Sequence, residues 1–211
     1  MKVMLTGATG MVGAGVLAAC LQNPAVAEVL SVSRRPCGVT DPKLKELLAP
    51  DFLALTELPQ GYDACFYCAG VSSVGMSEAD YTKASFDTPL HFAELLQSPG
   101  TTFIYITGAS TDGTEQGRVM WARVKGRAEN ALMKLAFKGV YNFRPAMMKP
   151  VPGQLHVNKL YGWLGWTYPL WEAAGKGNPL TDVAQAMVNA ADQGYEKHVL
   201  EVRDIKALAA R

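Results

Sequence analysis

The amino-acid sequence predicts an α/β fold with a doubly wound, mostly parallel sheet and a small C-terminal cap. Over the first 145 residues, short apolar segments alternate with segments of helical periodicity, which is typical of a parallel sheet covered on both faces. The 211 residues are enough to bury one sizeable core. We therefore expect a single domain over residues 1–211.

The N-terminal β-α-β unit is the clearest part of the pattern. An apolar run from Val3 to Leu5 enters a glycine turn, apolar residues then recur at helical spacing, and Asn23-Pro24 ends the helix. A second buried strand follows over 29–32. Further strands are predicted over 52–55, 64–67, 103–107 and 140–143, with helices over 77–97 and 119–136.

The pattern changes after Pro145, because prolines and glycines interrupt aromatic-rich segments until a last helix begins at Thr181 or Asp182. We expect residues 146–180 to form a small substrate cap at the carboxyl ends of the strands, where ligands bind in doubly wound folds. The aromatic segment 160–171 lacks flanking basic clusters, which favours a core or cap role over contact with a membrane.

Composition restricts the classes of partner. Lysine and arginine total 20 against 19 acidic residues, so there is no electrostatic argument for nucleic acid or an anionic membrane, and we expect a small-molecule substrate. The short N-terminal apolar run is unlike a secretory signal, which predicts a cytoplasmic location. Four irregularly spaced cysteines and three unpaired histidines predict neither a disulfide framework nor a metal site.

The glycine turn after the first strand is the strongest functional signal. Its G-x-x-G-x-x-G spacing between a strand and a helix is the context of the Rossmann dinucleotide-binding turn. Glycine lets a pyrophosphate approach the backbone, and the helix N-terminus offers it unpaired N–H groups. The simpler alternative is a tight turn that binds nothing. The predicted cofactor contacts are Thr6, Gly7, Ala8, Thr9, Gly10, Met11, Val12 and Gly13.

The end of the second strand indicates which dinucleotide is preferred. Enzymes that bind NAD usually have an acidic residue there to hold the ribose 2′-hydroxyl, whereas this chain has Ser33, Arg34 and Arg35. Arginine pairs with phosphate through two parallel hydrogen bonds, so the sequence favours NADP(H) over NAD. The alternative is a pair of solvated arginines without a ligand.

With these residues placed, the chain resembles the atypical, NAD-dependent epimerase/dehydratase-like branch of the short-chain dehydrogenase/reductase superfamily, and within it the Tat-interacting-protein oxidoreductases. The segment from Thr6 to Gly13 matches the branch's T-G-x-x-G-x-x-G fingerprint, and the resemblance covers nearly the whole chain. It implies a Rossmann fold, a nicotinamide dinucleotide and a small carbonyl or hydroxyl substrate. Related folds often dimerise through helices four and five, which leaves a homodimer open.

The resemblance also implies roles for residues beyond the glycine turn. By position, Asp51 and Phe52 flank the adenine, a turn after the fourth strand lines the cofactor, and an Arg-Pro segment passes beside the nicotinamide. The cofactor contacts implied in this way are Asp51, Phe52, Cys68, Ala69, Gly70, Lys125, Arg144 and Pro145. The implied catalytic positions are Ser110, Lys125 and Trp121.

Trp121 departs from the family pattern, because the family has its proton-transferring tyrosine four residues before the lysine. An indole N–H can donate a hydrogen bond but is not an acid or base near neutral pH. Ser110, Thr111 or a water molecule could supply the proton instead. The remaining candidate phenols, whose placement the sequence leaves open, are Tyr67, Tyr81 and Tyr105.

Each of these catalytic assignments has a simpler alternative. Lys125 shares its helix with several arginines and could belong to a solvated basic face, while Trp121 could merely pack. Two functions therefore remain open. The chain is either an NADP-dependent oxidoreductase or epimerase-like enzyme, or a non-catalytic dinucleotide-binding or redox-sensing protein that binds a partner protein.

Overall fold

The computed structural model describes residues 1–156 and 165–211, and residues 157–164, which include the start of the aromatic segment 160–171 expected in the cap, lie outside this description. The centre of the fold is a sheet of seven parallel strands, which are β1 (Lys2–Thr6), β2 (Glu28–Ser33), β3 (Leu44–Leu48), β4 (Ala64–Tyr67), β5 (Thr102–Ile106), β6 (Gly139–Arg144) and β9 (Val199–Glu201). Their order in the sheet is β3-β2-β1-β4-β5-β6-β9.

Helices connect these strands and cover the sheet. A π-helical turn over Lys83–Asp87 joins α2 to α3. The helices are α1 (Met11–Gln22), α2 (Glu78–Thr82), α3 (Thr88–Leu96), α4 (Met120–Leu132), α5 (Tyr168–Ala173), α6 (Leu180–Gln193) and α7 (Val202–Ala209). A separate parallel pair, β7 (Met147–Lys149) and β8 (Gly177–Pro179), lies in the C-terminal third. No helix among the described residues is long and apolar enough to cross a bilayer.

The two faces of the central sheet bury two separate clusters. In β1, Val3 and Leu5 contribute to the cluster that contains the buried residues of α1 and α6, whereas Met4 between them contributes to the cluster with α3 and α4. This alternation follows from the two-residue period of a strand. The sheet is therefore covered on both sides, which confirms the predicted doubly wound α/β fold.

The structure corrects two of the predicted elements. The strand predicted over 52–55 is wrong: Phe52–Ala54 is a short 3-10 helix, whose Asp51 cap accepts a hydrogen bond from the Leu53 N–H. The third strand is Leu44–Leu48, which lies at the sheet edge and therefore lacks a continuous apolar pattern. The helix at Leu180 is also not the last element, because β9 and α7 follow it.

Candidate functional site

A cleft of about 340 Å³ opens at the carboxyl ends of β1, β2 and β4. The chain leaves β1 for β2 on one side and later returns to β4 on the other, so this is the point where the strand order reverses and where such folds bind ligands. The residues that line the cleft are Gly7, Thr9, Gly10, Ser33, Arg34, Arg35, Pro50, Asp51, Phe52, Tyr67, Cys68, Ala69, Gly70, Val71, Ala84 and Thr88.

The glycine turn is packed too closely for side chains at two positions. Gly7 has φ +75°, and a Cβ there would lie 2.7 Å from the Ala69 nitrogen. A Cβ on Gly13 would lie 2.1 Å from the Gly7 carbonyl oxygen. These contacts let α1 begin directly against the turn. No side chain caps the N-terminus of α1 and its first turn holds no acidic residue, so its N–H groups are available to an anion.

The residues of the turn divide into those that line the cleft and those that support it. Gly7, Thr9 and Gly10 line it, whereas Thr6 is fully buried. The Thr6 Oγ1 accepts hydrogen bonds from the N–H groups of Cys68 and Ala69, each at 3.1 Å, and so joins β1 to the turn after β4. The side chains away from the cleft wall are those of Ala8, Met11 and Val12, which pack into apolar clusters.

Basic side chains stand on the β2 side of the cleft. Arg34 and Arg35 are exposed and line it, and neither has an ion-pair partner among the residues that the structure describes. Ser33 is buried, with its Oγ 3.0 Å from the Ser31 Oγ. Asp51 lies on the cleft wall as well. Two guanidinium groups without an ion-pair partner in the described part of the chain therefore stand beside a cleft whose other wall is the glycine turn.

The three positions assigned to catalysis lie on α4 and on the loop after β5, outside the lining of the cleft. This loop contacts α4 closely: the Asp112 N–H donates to the Ala122 oxygen, and a Cβ on Gly126 would lie 1.8 Å from the Asp112 oxygen. Ser110 is exposed with φ +71°, a conformation that costs a non-glycine residue roughly 1–3 kcal/mol and is found preferentially at functional sites.

Lys125 is anchored at the end of β5. Its Nζ donates a 2.6 Å hydrogen bond to the backbone oxygen of Thr107. Burial lowers the pKa of Lys125 to about 8, against the opposing attraction of the Glu129 carboxylate. Trp121 lies one turn earlier on α4 and is half-buried. A lysine with a lowered pKa thus lies at the carboxyl edge of the sheet.

Glu129 was not identified from the sequence, although it is the centre of a buried polar network. Its carboxylate is 1% exposed and accepts hydrogen bonds from the Thr107 hydroxyl at 2.6 Å and from the Arg144 Nε at 3.0 Å. Arg144 also pairs with Glu201 at 3.1 Å. Its spacing along α4 could have indicated that Glu129 is buried, because it lies seven residues after Ala122 and three before Leu132, and both of these residues are buried.

This network also shows what the predicted cofactor contact Arg144 does in the structure. Its guanidinium is directed to Glu129 and Glu201, and neither Arg144 nor Pro145 lines the cleft. Pro145 instead accepts a backbone hydrogen bond from Ala109 at 2.9 Å. The Arg-Pro segment therefore joins the loop after β5 to the sheet edge.

The three candidate phenols are all buried. Tyr105 donates from its hydroxyl to the Ser85 oxygen at 2.9 Å, and burial raises its pKa well above the usual value. Burial also raises the pKa of Tyr67, which packs against Phe92 and Phe103, and that of Tyr81. None of these phenols has the lowered pKa that proton transfer near neutral pH requires.

Comparison with known sequences identifies a family. The family described as "NAD dependent epimerase/dehydratase family" matches residues 3–133, well over half of the chain. Among curated relatives, "Protein fmp52, mitochondrial" of Aspergillus clavatus is 26% identical over 214 residues and covers 94% of this chain and 90% of its own length. "Protein FMP52-1, mitochondrial" of Scheffersomyces stipitis is 27% identical over 210 residues, covering 93% and 91%.

These names overturn one prediction. The relatives are described as mitochondrial proteins, which contradicts the cytoplasmic location predicted from the N-terminal sequence. The prediction depended on the difference between the N-terminal apolar run and a secretory signal, and that difference gives no information about a mitochondrial location.

Solved structures support the fold. The chain aligns over its full length with 81% of MoeE5, solved in complex with UDP-glucose and NAD, with a TM-score of 0.68 and 16% identity. The chain also aligns with the UDP-glucuronic acid 4-epimerase from Bacillus cereus in complex with NAD, with a TM-score of 0.68 and 14% identity. This alignment covers 96% of the chain and 76% of the epimerase. At these identities the similarity establishes the fold alone.

Proposed function

Since the chain belongs to the NAD dependent epimerase/dehydratase family, we propose that it binds NADP(H) in the cleft at the carboxyl edge of the sheet. We further propose that it is an oxidoreductase or epimerase-like enzyme for a small carbonyl or hydroxyl substrate. The glycine turn carries this proposal, because Gly7 and Gly13 leave no room for side chains where a pyrophosphate would meet α1.

The cleft offers different chemistry to each part of such a cofactor. The N–H groups at the start of α1 would bind the pyrophosphate, and Asp51 and Phe52 would flank the adenine. Arg34 and Arg35 would bind a 2′-phosphate, which supports NADP(H), although two solved structures of similar fold contain NAD. Ser33 would avoid the repulsion that an acidic residue exerts on this phosphate.

The residues beside α4 would form the reactive end of the site. When bound, the nicotinamide would supply or accept a hydride. The exposed hydroxyl of Ser110 would polarise the substrate oxygen, and Lys125 would hold the nicotinamide ribose. We propose that Trp121 occupies the place of the family's tyrosine and that residues 146–180 cap the substrate, with Trp166 and Leu170 exposed on this segment.

The test is a screen of aliphatic and aromatic aldehydes and ketones with NADPH, following the loss of its absorbance. We expect turnover of at least one class, and we expect Ser110→Ala to lower the rate by about 100- to 1,000-fold, because one polarising hydrogen bond to the reacting oxygen is lost. The control is Ser98→Ala, which lies in the turn before β5. Tight NADPH binding without any turnover would contradict an enzymatic role.

If this screen finds no turnover, a second function is favoured. The half-buried indole of Trp121 and the three buried phenols are compatible with a protein that binds the dinucleotide without hydride chemistry. Such a protein would present the exposed side chains of Trp166, Leu170 and Trp171 to a partner protein. NADPH would then change its affinity for that partner, and Trp121→Tyr would leave this response unaltered.

A further inference from the structure

The groups around the reactive end differ in their ability to exchange a proton. Trp121 has only an indole N–H, and Ser110 and Thr111 have alcohols, none of which ionises near neutral pH. The Thr111 hydroxyl is moreover directed to the Gly108 oxygen at 2.8 Å. The phenols are buried with raised pKa values. Lys125 differs from these groups, because its Nζ is held at the end of β5 and burial lowers its pKa to about 8.

The hydrogen bonding of Lys125 leaves capacity for a second partner. An ammonium has three N–H donors, and one of them is used by the Thr107 oxygen at 2.6 Å. No other acceptor among residues 1–156 and 165–211 binds the remaining two. The anchored donor fixes the Nζ at the end of β5, directly before the loop that carries Ser110.

From this geometry we propose that the Lys125 Nζ is the proton donor of the reaction in the direction of reduction, and the proton acceptor in the direction of oxidation. This inference rests on the proposed oxidoreductase function. It assigns to Lys125 the chemistry that Trp121 lacks, beyond holding a ribose.

The proton and electron balance of this step is simple. During reduction the carbonyl carbon accepts a hydride, and with it two electrons, from the reduced nicotinamide dinucleotide. An N–H bond of Lys125 breaks, its proton forms the new O–H bond on the substrate oxygen, and the electron pair stays on nitrogen as a neutral amine. Water returns a proton to the amine afterwards. Oxidation of an alcohol runs through the same bonds in reverse.

The charged groups around Lys125 make this exchange feasible. Glu129, one turn later on α4, favours the ammonium, but Arg144 from β6 binds the same carboxylate and so moderates its effect. From the loop after β5, the Asp112 carboxylate is turned away to the N–H groups of Thr114 and Gly117. Burial therefore dominates, and it favours release of the proton.

The decisive variant is Lys125→Arg, because a guanidinium keeps the charge and the donors but does not release a proton below about pH 12. We expect its dissociation constant for NADPH to stay within about threefold of the wild-type value, since a cation still faces the ribose. We expect kcat to fall by about 100-fold or more, which is the usual contribution of a general acid. The control is Lys134→Arg, an exposed lysine that follows α4.

Two further measurements apply if the larger side chain of Lys125→Arg does not fit in the space of the lysine. In Lys125→Ala, added alkylamines should restore turnover, at rates that depend on the pKa of the amine. In Lys125→Arg, a second substitution Trp121→Tyr should restore at least about tenfold by supplying a phenol. If Lys125→Arg keeps its kcat, or if Lys125→Ala binds NADPH but responds to no amine, Lys125 is not the proton donor.

One readout is independent of turnover, so failure of this inference can be told from failure of the proposed function. Carbon-13 NMR of labelled lysine should show Lys125 titrating near pH 8 in the protein without added nucleotide. A titration above about pH 10, the range of an ordinary lysine, would overturn the inference even for an active enzyme. A titration near pH 8 in a protein without any turnover would instead confirm the lowered pKa of Lys125 and contradict the oxidoreductase proposal.

Discussion

At the scale of single residues, the buried carboxylate of Glu129 connects the proposed reactive end to the edge of the sheet. It binds the Thr107 hydroxyl, while the Thr107 backbone oxygen holds Lys125. Arg144 continues the connection to Glu201, which caps α7. Removing one partner of a buried ion pair strongly destabilises a protein, because the other charge is left without compensation. Glu129 is therefore expected to matter for folding as well as for the position of Lys125.

This expectation can be measured by urea denaturation. Glu129→Ala should lower the free energy of unfolding by about 3–5 kcal/mol, because Arg144 loses its buried partner. Glu78→Ala is a matched control, because it breaks the ion pair of Glu78 with Arg123, which lies on α4 as Glu129 does. That pair is largely exposed and should contribute less than about 1 kcal/mol to the free energy of unfolding. Equal losses in the two variants would contradict the importance assigned to the buried network.

At the scale of elements, the contact between the glycine turn and α1 explains why a few residues predicted so much. The spacing of Gly7, Gly10 and Gly13 predicts both the strand-turn-helix and the position of the cleft, because only backbone can approach so closely there. The edge strand Leu44–Leu48 and the three-residue β9 were not predicted, since neither is long or apolar enough to give a pattern.

The residues of the site could likewise be predicted only in part. Cleft residues that follow strand ends were predictable, because parallel strands bring their carboxyl ends to one edge. The partners of Arg144 and Glu129 were not, since they come from α4, β6 and β9 and are joined only by tertiary packing. A rule based on residue type assigns Arg144 to an anionic ligand, whereas the fold supplies it with two carboxylates of its own.

The glycine contact predicts the effect of one methyl group. Gly13→Ala should weaken NADPH binding by at least about tenfold and lower the thermal stability, because a Cβ would lie 2.1 Å from the Gly7 oxygen and α1 would have to move away from the turn. The control is Gly100→Ala, where the nearest atom to the added Cβ is 3.8 Å away. Calorimetric titration and thermal denaturation measure both effects, and unchanged NADPH affinity in Gly13→Ala would show that phosphates do not bind at this turn.

At the scale of the whole molecule, the chain combines the family fold with a cleft that has two arginines on one wall. Two solved structures of similar fold contain NAD, and the cleft of this chain presents Arg34 and Arg35 with no carboxylate partner among the described residues. The proposed specificity therefore depends on two side chains at the end of β2 rather than on the fold itself. The proposed reactive end lies on α4 and the loop after β5, outside the lining of the cleft, so Arg34 and Arg35 can be substituted without altering it.

The most direct test of the central claim is calorimetric titration of the protein with NADPH and with NADH. We expect the wild type to prefer NADPH by at least about tenfold, because charged hydrogen bonds contribute about 1.5–3 kcal/mol each. The double variant Arg34→Ala/Arg35→Ala should lose this preference and keep its affinity for NADH, while the exposed Arg203→Ala on α7 should behave as the wild type. Equal or tighter binding of NADH by the wild type, or a preference that survives the double substitution, would contradict the account.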